Sequence, residues 1–257
     1  MERRALIVYC DDTPSGKLFG PPVDYINYKT FLTSPLGGAW EEYEIDKIQN
    51  PTYDQLIDKM SFLDGADYTF VIFTGHGDIV QCQDSCKQYV ELNDQDIWIK
   101  KLFSKAPRQT LIIDACRTYR YVEMPMLRQA GINTESVENF SLRTKEIYRR
   151  IFDNAVLRAP EGITILYATK KGAVADDSRT GAVYLSSLIG GAKNWSKHDY
   201  DSCVLPLNEA NEYAKKYIEF HYESKQEPTM NLSKRTIFYP FAVKLSSNSI
   251  TNFLCFG

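Results

Sequence analysis

The stretch Tyr68-Thr69-Phe70-Val71-Ile72-Phe73-Thr74-Gly75-His76-Gly77 decides the architecture. Its first half is mostly β-branched or aromatic, and it ends in a glycine-flanked histidine. Runs of this length, apolar on both faces, suit parallel strands covered on both sides. Leu111-Ile112-Ile113, followed by Asp114-Ala115-Cys116-Arg117, repeats the pattern with a cysteine at its end. Working outward, similar runs lie at Ala5–Tyr9, Thr110–Ile113, Gly162–Tyr167 and Ile237–Val243. Helical periods fall between them, at Tyr25–Phe31, Asp94–Phe103, Leu142–Leu157, Ala182–Ile189 and Leu207–Tyr222. Another is announced by Thr52 and Gln55 as a capping box, after which Leu56, Ile57, Met60 and Leu63 share a face. Gly190-Gly191 reads as a helix C-terminal stop. Strands alternating with helices argue an α/β fold around a mostly parallel sheet.

The composition narrows the function classes. The chain has 257 residues, with 44% hydrophobic and 25% charged, which excludes disorder for its bulk. Thirty basic against 33 acidic residues give a net charge of −3, and a nucleic-acid binder usually carries a basic excess. No run approaches the roughly 18 apolar residues of a membrane span. The stretch from Met1 to Cys10 begins like a signal peptide, but its apolar run is short and Asp11 and Asp12 end it. Cys10, Cys82, Cys86, Cys116, Cys203 and Cys255 are too sparse for a disulfide framework, so reduced thiols and a cytoplasmic setting are expected. A single domain, 1–257, accommodates the length. One stretch breaks its rhythm: 117–160 has no strand and carries eight basic residues. It reads as an insertion or linker with one amphipathic helix.

Open parallel sheets place ligands beyond the carboxyl ends of their strands. His76 and Cys116 each follow such a strand, in equivalent positions. On neighbouring strands, the imidazole would take the thiol proton and the thiolate would attack a carbonyl carbon. The backbone N–H groups of Gly77 and Cys116 could then receive the oxyanion. Cys82 and Cys86 near a histidine suggest zinc, but a structural site needs four ligands and no fourth is evident; no metal is assigned. His198 and His221 read as surface or helix-face residues.

These motifs, in this order, resemble the caspase-like cysteine peptidases, on the metacaspase and paracaspase side of that superfamily. The resemblance rests on Ala5-Leu6-Ile7-Val8, the segment Lys17–Asp24 entering the first helix, Phe73–Gly77, Ile112–Arg117, Tyr167-Ala168-Thr169 with Gly172, and Gln226-Glu227-Pro228. It implies a three-layer caspase-haemoglobinase fold, with Cys116 as nucleophile and His76 as general base. Asp114 stands where the caspase signature has Gln, and Thr118 where it has Gly. In metacaspases and paracaspases an Asp two before the cysteine and an Asp entering the first helix line an acidic pocket. Asp114 and Asp24 match those positions, which implies cleavage after Arg or Lys rather than Asp. Asp176 or Asp177 would add a third carboxylate, and Gly172–Asp176, including Ala175, would offer a strand edge to an extended substrate. The resemblance also implies self-cleavage in the linker, with Arg143, Lys145, Arg149, Arg150 and Arg158 as candidate positions. Metacaspases often depend on calcium through acidic loops, and no such loop is assigned here. The expected partners are protein or peptide substrates and a separate activator, with no nucleic acid and no membrane. Small stand-alone caspase-like chains are, by analogy, often bacterial and regulatory or antiviral. A peptide-binding pseudo-peptidase is the alternative.

Overall fold

A computed structural model describes residues 1–82, 85–119, 142–198, 202–231 and 235–245. In chain order the elements are β1 (Arg3–Tyr9), β2 (Asp12–Thr13), β3 (Gly16–Lys17), α1 (Pro21–Thr33), β4 (Ile45–Gln49), α2 (Tyr53–Met60) and β5 (Tyr68–Thr74). Then come β6 (Gly77–Cys82), β7 (Ser85–Glu91), β8 (Asp96–Trp98), β9 (Arg108–Asp114), α3 (Leu142–Arg158) and β10 (Gly162–Tyr167). The rest are α4 (Val183–Ser196), β11 (Val204–Pro206), α5 (Leu207–His221), β12 (Thr229–Met230) and β13 (Pro240–Val243).

Six strands form the central sheet in the order β12-β10-β9-β5-β1-β4. All pairings in it are parallel except β10 with β12. Side chains of successive residues point to opposite faces, so each central strand feeds two cores. Ala5, Ile7, Phe70, Ile72, Ile112 and Leu166 pack under α1, α3, α4 and α5. Leu6, Val8, Val71, Phe73, Leu111 and Ile113 pack under α2 and the small antiparallel sheet β6-β7-β8. This is an α/β arrangement around a mostly parallel sheet, as the apolar runs predict.

Local chemistry accounts for most boundaries. Thr52 caps α2 by accepting the Gln55 N–H, while the Gln55 side chain accepts the Thr52 N–H at 2.9 Å. Pro21 and Pro22 open α1, where a missing N–H costs nothing. Three expectations need correction. Asp94–Phe103 is not an α-helix: Asp96–Trp98 extends as β8, and a single 3₁₀ turn, Ile99–Leu102, follows. The Ile237–Val243 run does not join the central sheet; β13 pairs antiparallel with β11 instead. Gly190-Gly191 ends no helix. Both lie inside α4, where a Cβ at Gly190 would stand 2.5 Å from the Tyr217 ring and one at Gly191 would stand 2.9 Å from Tyr213. The glycines let α4 and α5 approach closely, and the helix ends only at Ser196.

At the other end of the sheet, α3 is anchored by charge. Arg3, fully buried, donates to Asp153 and to the carbonyls of Gly38 and Ala39, and lies 4.5 Å over the Trp40 ring. Arg149 forks onto Glu44. Burial alone would push the Glu44 carboxyl up; Arg149 and Arg3 outweigh it and hold it below the ordinary range.

Candidate active site

β5 and β9 are neighbours, and their register pairs Thr74 with Asp114. His76 and Cys116 each lie two residues beyond that pair, so the fold brings both to one rim of the sheet. Each is half-buried.

The turn after β5 is fixed by close packing. The Gly75 N–H donates to the Asp114 carbonyl at 3.1 Å. A Cβ on Gly77 would stand 2.7 Å from the Tyr89 carbonyl and 2.9 Å from the Ala115 Cβ, so only glycine fits. The Glu91 N–H bonds the His76 carbonyl. That makes Gly77 and Val90 the pair without ladder bonds, and the Gly77 N–H faces away from β7.

The cysteine segment is clamped from two sides. Gln88, on β7, donates to the Cys116 carbonyl at 3.0 Å and accepts from Arg117 Nε at 3.0 Å. The Arg117 guanidinium also donates to Thr169 O and Thr229 Oγ1 and lies 3.9 Å over the Tyr167 ring. On the other flank the Arg117 N–H bonds the Ala173 carbonyl, and Gly172 N–H bonds the Arg117 carbonyl. Arg117 is thus a strut behind the cysteine. Arg117 closes the cysteine motif in the sequence without a role being readable there, and Gln88 belongs to no motif, since a strand Gln reads as a surface residue.

The thiol is not yet joined to the imidazole. Cys116 Sγ donates to the Ala175 carbonyl at 3.7 Å, and His76 Nε2 is buried without a hydrogen-bond partner. Burial, with the carboxylates of Asp114, Asp176 and Asp78 nearby, holds the thiol above its ordinary pKa.

Beside the two residues, on the face under α1 and α4, sit three carboxyl groups. Asp24 is 1% exposed and accepts from the Thr74 hydroxyl at 2.8 Å and the Ala182 N–H at 2.9 Å. Asp114 is 4% exposed and accepts from the Leu185 N–H. Asp177 Oδ2 accepts from Phe19 and Gly20 N–H at 3.1 Å, while its Oδ1 is buried without a partner. Burial, and then mutual repulsion with Asp177, pushes Asp24 up to about 8. Burial and the other two carboxylates raise Asp114 well above the ordinary range, and burial raises Asp177. Among the described residues, no lysine or arginine stands among the leading electrostatic influences on any of the three. Two glycines make the room. A Cβ on Gly181, whose φ is +109°, would lie 2.5 Å from Asp24 Oδ1, and one on Gly20 would run into the Asp177 carboxylate.

Asp176 faces elsewhere. Its carboxylate accepts from Ser224 Oγ, and its N–H donates to Gln226, whose amide donates to the Ala168 carbonyl. Asp176 is therefore a brace for the 172–177 segment, and Asp177 is the third pocket carboxylate. The five basic candidates for self-cleavage, Arg143, Lys145, Arg149, Arg150 and Arg158, all fall on α3. A protease groove takes extended chain, so none can be presented while the helix is folded. Arg149 is held by Glu44 in addition. Self-cleavage at these positions would therefore require α3 to unfold first; residues 120–141 of the insertion lie outside the described residues.

His221 stacks on Tyr217 at the exposed end of α5. The Cys82 side chain lies outside the described residues. Among those described, no three His, Cys, Asp or Glu side chains converge as a metal-holding group. No described helix is long and apolar enough to cross a membrane.

A family model, the caspase domain, matches residues 2–239. The chain belongs to that family. Caspase-1 from Spodoptera frugiperda, a solved structure, superimposes with a TM-score of 0.61 at 13% identity, over 95% of this chain and 91% of that one. At that identity the likeness carries the fold alone. No curated protein matches the chain. The family supports a cysteine-type peptidase in general terms.

Proposed function

We propose that this caspase-family chain is a cysteine endopeptidase that cleaves after arginine or lysine. The observation that carries the reading is the buried group Asp24, Asp114 and Asp177, beside His76 and Cys116, with no lysine or arginine of the described residues among its leading electrostatic influences. An aspartate side chain entering there would add a fourth carboxyl to a group whose members already oppose one another's ionisation. A guanidinium would meet an unpartnered oxygen, Asp177 Oδ1, and two carboxyls able to ionise against it. Arginine's planar fork suits paired carboxylates better than lysine's single ammonium.

In the reaction, His76 takes the Cys116 proton and the thiolate attacks the carbonyl carbon after the bound arginine. The Gly77 and Cys116 N–H groups receive the oxyanion. His76 protonates the leaving amine as the carbon–nitrogen bond breaks, and water then hydrolyses the thioester. Gly172, Ala173 and Asp176 already spend backbone groups on Arg117, Lys170, Val183 and Gln226, so an extended substrate would bond at Val174 and Ala175, whatever its sequence. In the resting arrangement the thiol faces the Ala175 carbonyl. Turning it to His76 would give up that contact, a change that substrate or a separate activator would drive.

One observation favours a second reading. The raised thiol and the missing thiol–imidazole bond also suit a peptide-binding protein without turnover. Fluorogenic peptides ending in Arg, Lys or Asp, assayed in reductant with and without calcium, separate the two. Arg and Lys turnover that is lost in Asp24→Ala/Asp114→Ala supports the peptidase and its pocket. Asp turnover overturns the pocket. Saturable binding of arginyl peptides without turnover supports the second reading.

A further inference from the structure

The face of the sheet opposite the carboxylates carries a cavity of about 460 Å³, within the range of small-molecule sites. Its wall is built by three separate elements: β7 gives Lys87 and Gln88, the turn after β8 gives Lys100, and the loop after β10 gives Lys171. Arg117, Trp98 and Tyr167 complete it. No carboxylate is among the lining residues. None of the three lysines has a carboxylate ion-pair partner among the described residues; the neighbouring Lys170 takes Glu227. Lys87 and Lys100 instead lie over one ring, Trp98, with their ammonium groups 5.1 and 4.3 Å from its centroid.

Gathering like charges without counter-charges is unfavourable, and here Lys87 is half-buried while Lys100 and Lys171 are exposed at the cavity's rim. In a chain with a net charge of −3, such a gathering is a local departure from the average. An anion seated between the three ammonium groups would remove the repulsion and gain charge-assisted hydrogen bonds.

We propose that this cavity binds a small phosphorylated anion. It lies one side chain from the candidate active site, because Gln88 lines it and holds the Cys116 carbonyl, and Arg117 lines it and holds Gln88. The proposal does not rest on the peptidase reading, and its test does not use turnover.

Cys86 is exposed and lines the same cavity, so it serves as a built-in reporter. The full chain is treated with iodoacetamide, with and without ATP or inorganic tripolyphosphate, and modification of Cys86 is followed by peptide mapping. Direct binding is measured by calorimetry at ~0.1 M salt. Both probes should bind saturably and slow Cys86 alkylation at least about threefold. In Lys87→Ala/Lys100→Ala/Lys171→Ala the affinity should fall about tenfold or more, as expected for loss of several charge-assisted contacts. Lys215→Ala, on the exposed face of α5, serves as the control and should match the wild type. Stronger binding of ATP than of tripolyphosphate assigns the site to a nucleotide, and equal binding assigns it to phosphate alone. Binding too weak to saturate by about 1 mM, or equal affinity in the triple variant and the wild type, overturns the proposal. A melting curve for the triple variant confirms that it is folded, so that loss of binding cannot come from unfolding.

Discussion

Asp24→Asn should make this protein more stable and worse at its proposed task. In the fold the Asp24 carboxyl ionises near pH 8; in the unfolded chain it would do so near ~3.9. Between those values the unfolded chain sheds a proton that the folded chain keeps. Stability is therefore full below about pH 4, declines as pH rises to about 8, and is flat beyond. Each pH step is worth about 1.4 kcal/mol, so roughly four steps give a ceiling of about 5–6 kcal/mol at pH 8. Water entry and rearrangement around the carboxylates would reduce this to about 2–3 kcal/mol. Asparagine keeps the shape: its oxygen can accept the Ala182 N–H, and its NH₂ can donate to the Thr74 hydroxyl. It removes only the ionisation. Melting curves of the variant and the wild type should coincide near pH 4 and separate at pH 8, with the variant about 4–10 °C higher at roughly 2–4 °C per kcal/mol. Turnover of arginyl peptides should move the other way. A cation must expel the pocket proton, so the wild-type KM should rise up to about tenfold per pH step below pH 8, and the variant should lose that slope. Parallel stability curves, with no gain at pH 8, would refute the reasoning.

Gly181→Ala puts a methyl 2.5 Å from Asp24 Oδ1 at a φ of +109°; kcat/KM for arginyl peptides should fall at least about tenfold, with about 1–3 kcal/mol of strain visible in urea unfolding. Arg3→Met leaves Asp153 and two carbonyls without their buried donor, and should cost about 3–5 kcal/mol in the same assay. Alkylation of Cys116 in the resting protein should reach half its maximal rate above the ~8.5 of a free thiol, because burial and the surrounding carboxylates oppose the thiolate. Prolonged incubation should yield no fragment ending at Arg143, Lys145, Arg149, Arg150 or Arg158 while α3 is folded; intact mass beside Cys116→Ala checks this.

The central strands were legible because both faces of each are buried, which leaves an uninterrupted apolar run in the sequence. β4 was not legible: Ile45–Gln49 is an edge strand, half exposed, and its polar alternation reads as loop. The hairpin of β6 and β7 was hidden because neither strand keeps a strict polar–apolar alternation or a continuous apolar run, and no recognised turn pair joins them. Asp94–Phe103 misled because apolar residues at Ile97, Ile99 and Leu102 approximate a helical spacing while entering the core from a strand and a 3₁₀ turn. At the site, His76 and Cys116 were visible through their place at strand ends, and Asp24 and Asp114 through the family resemblance. Thr74 and Gln226 stood inside quoted motifs without a role and Gln88 in none, since what they do depends on partners 50, 50 and 28 positions away. The choice between Asp176 and Asp177 needed the fold, which turns one toward Ser224 and the other toward Gly20.

The most direct test of the central claim is covalent trapping. The protein is treated with arginyl and aspartyl chloromethyl ketones, and the adduct is located by peptide mapping in the wild type, His76→Ala and Asp24→Ala/Asp114→Ala. The account predicts one adduct, on Cys116, formed by the arginyl reagent and not the aspartyl one, and slowed strongly in both variants. Labelling by the aspartyl reagent in preference, or an arginyl adduct on a cysteine other than Cys116, would contradict it.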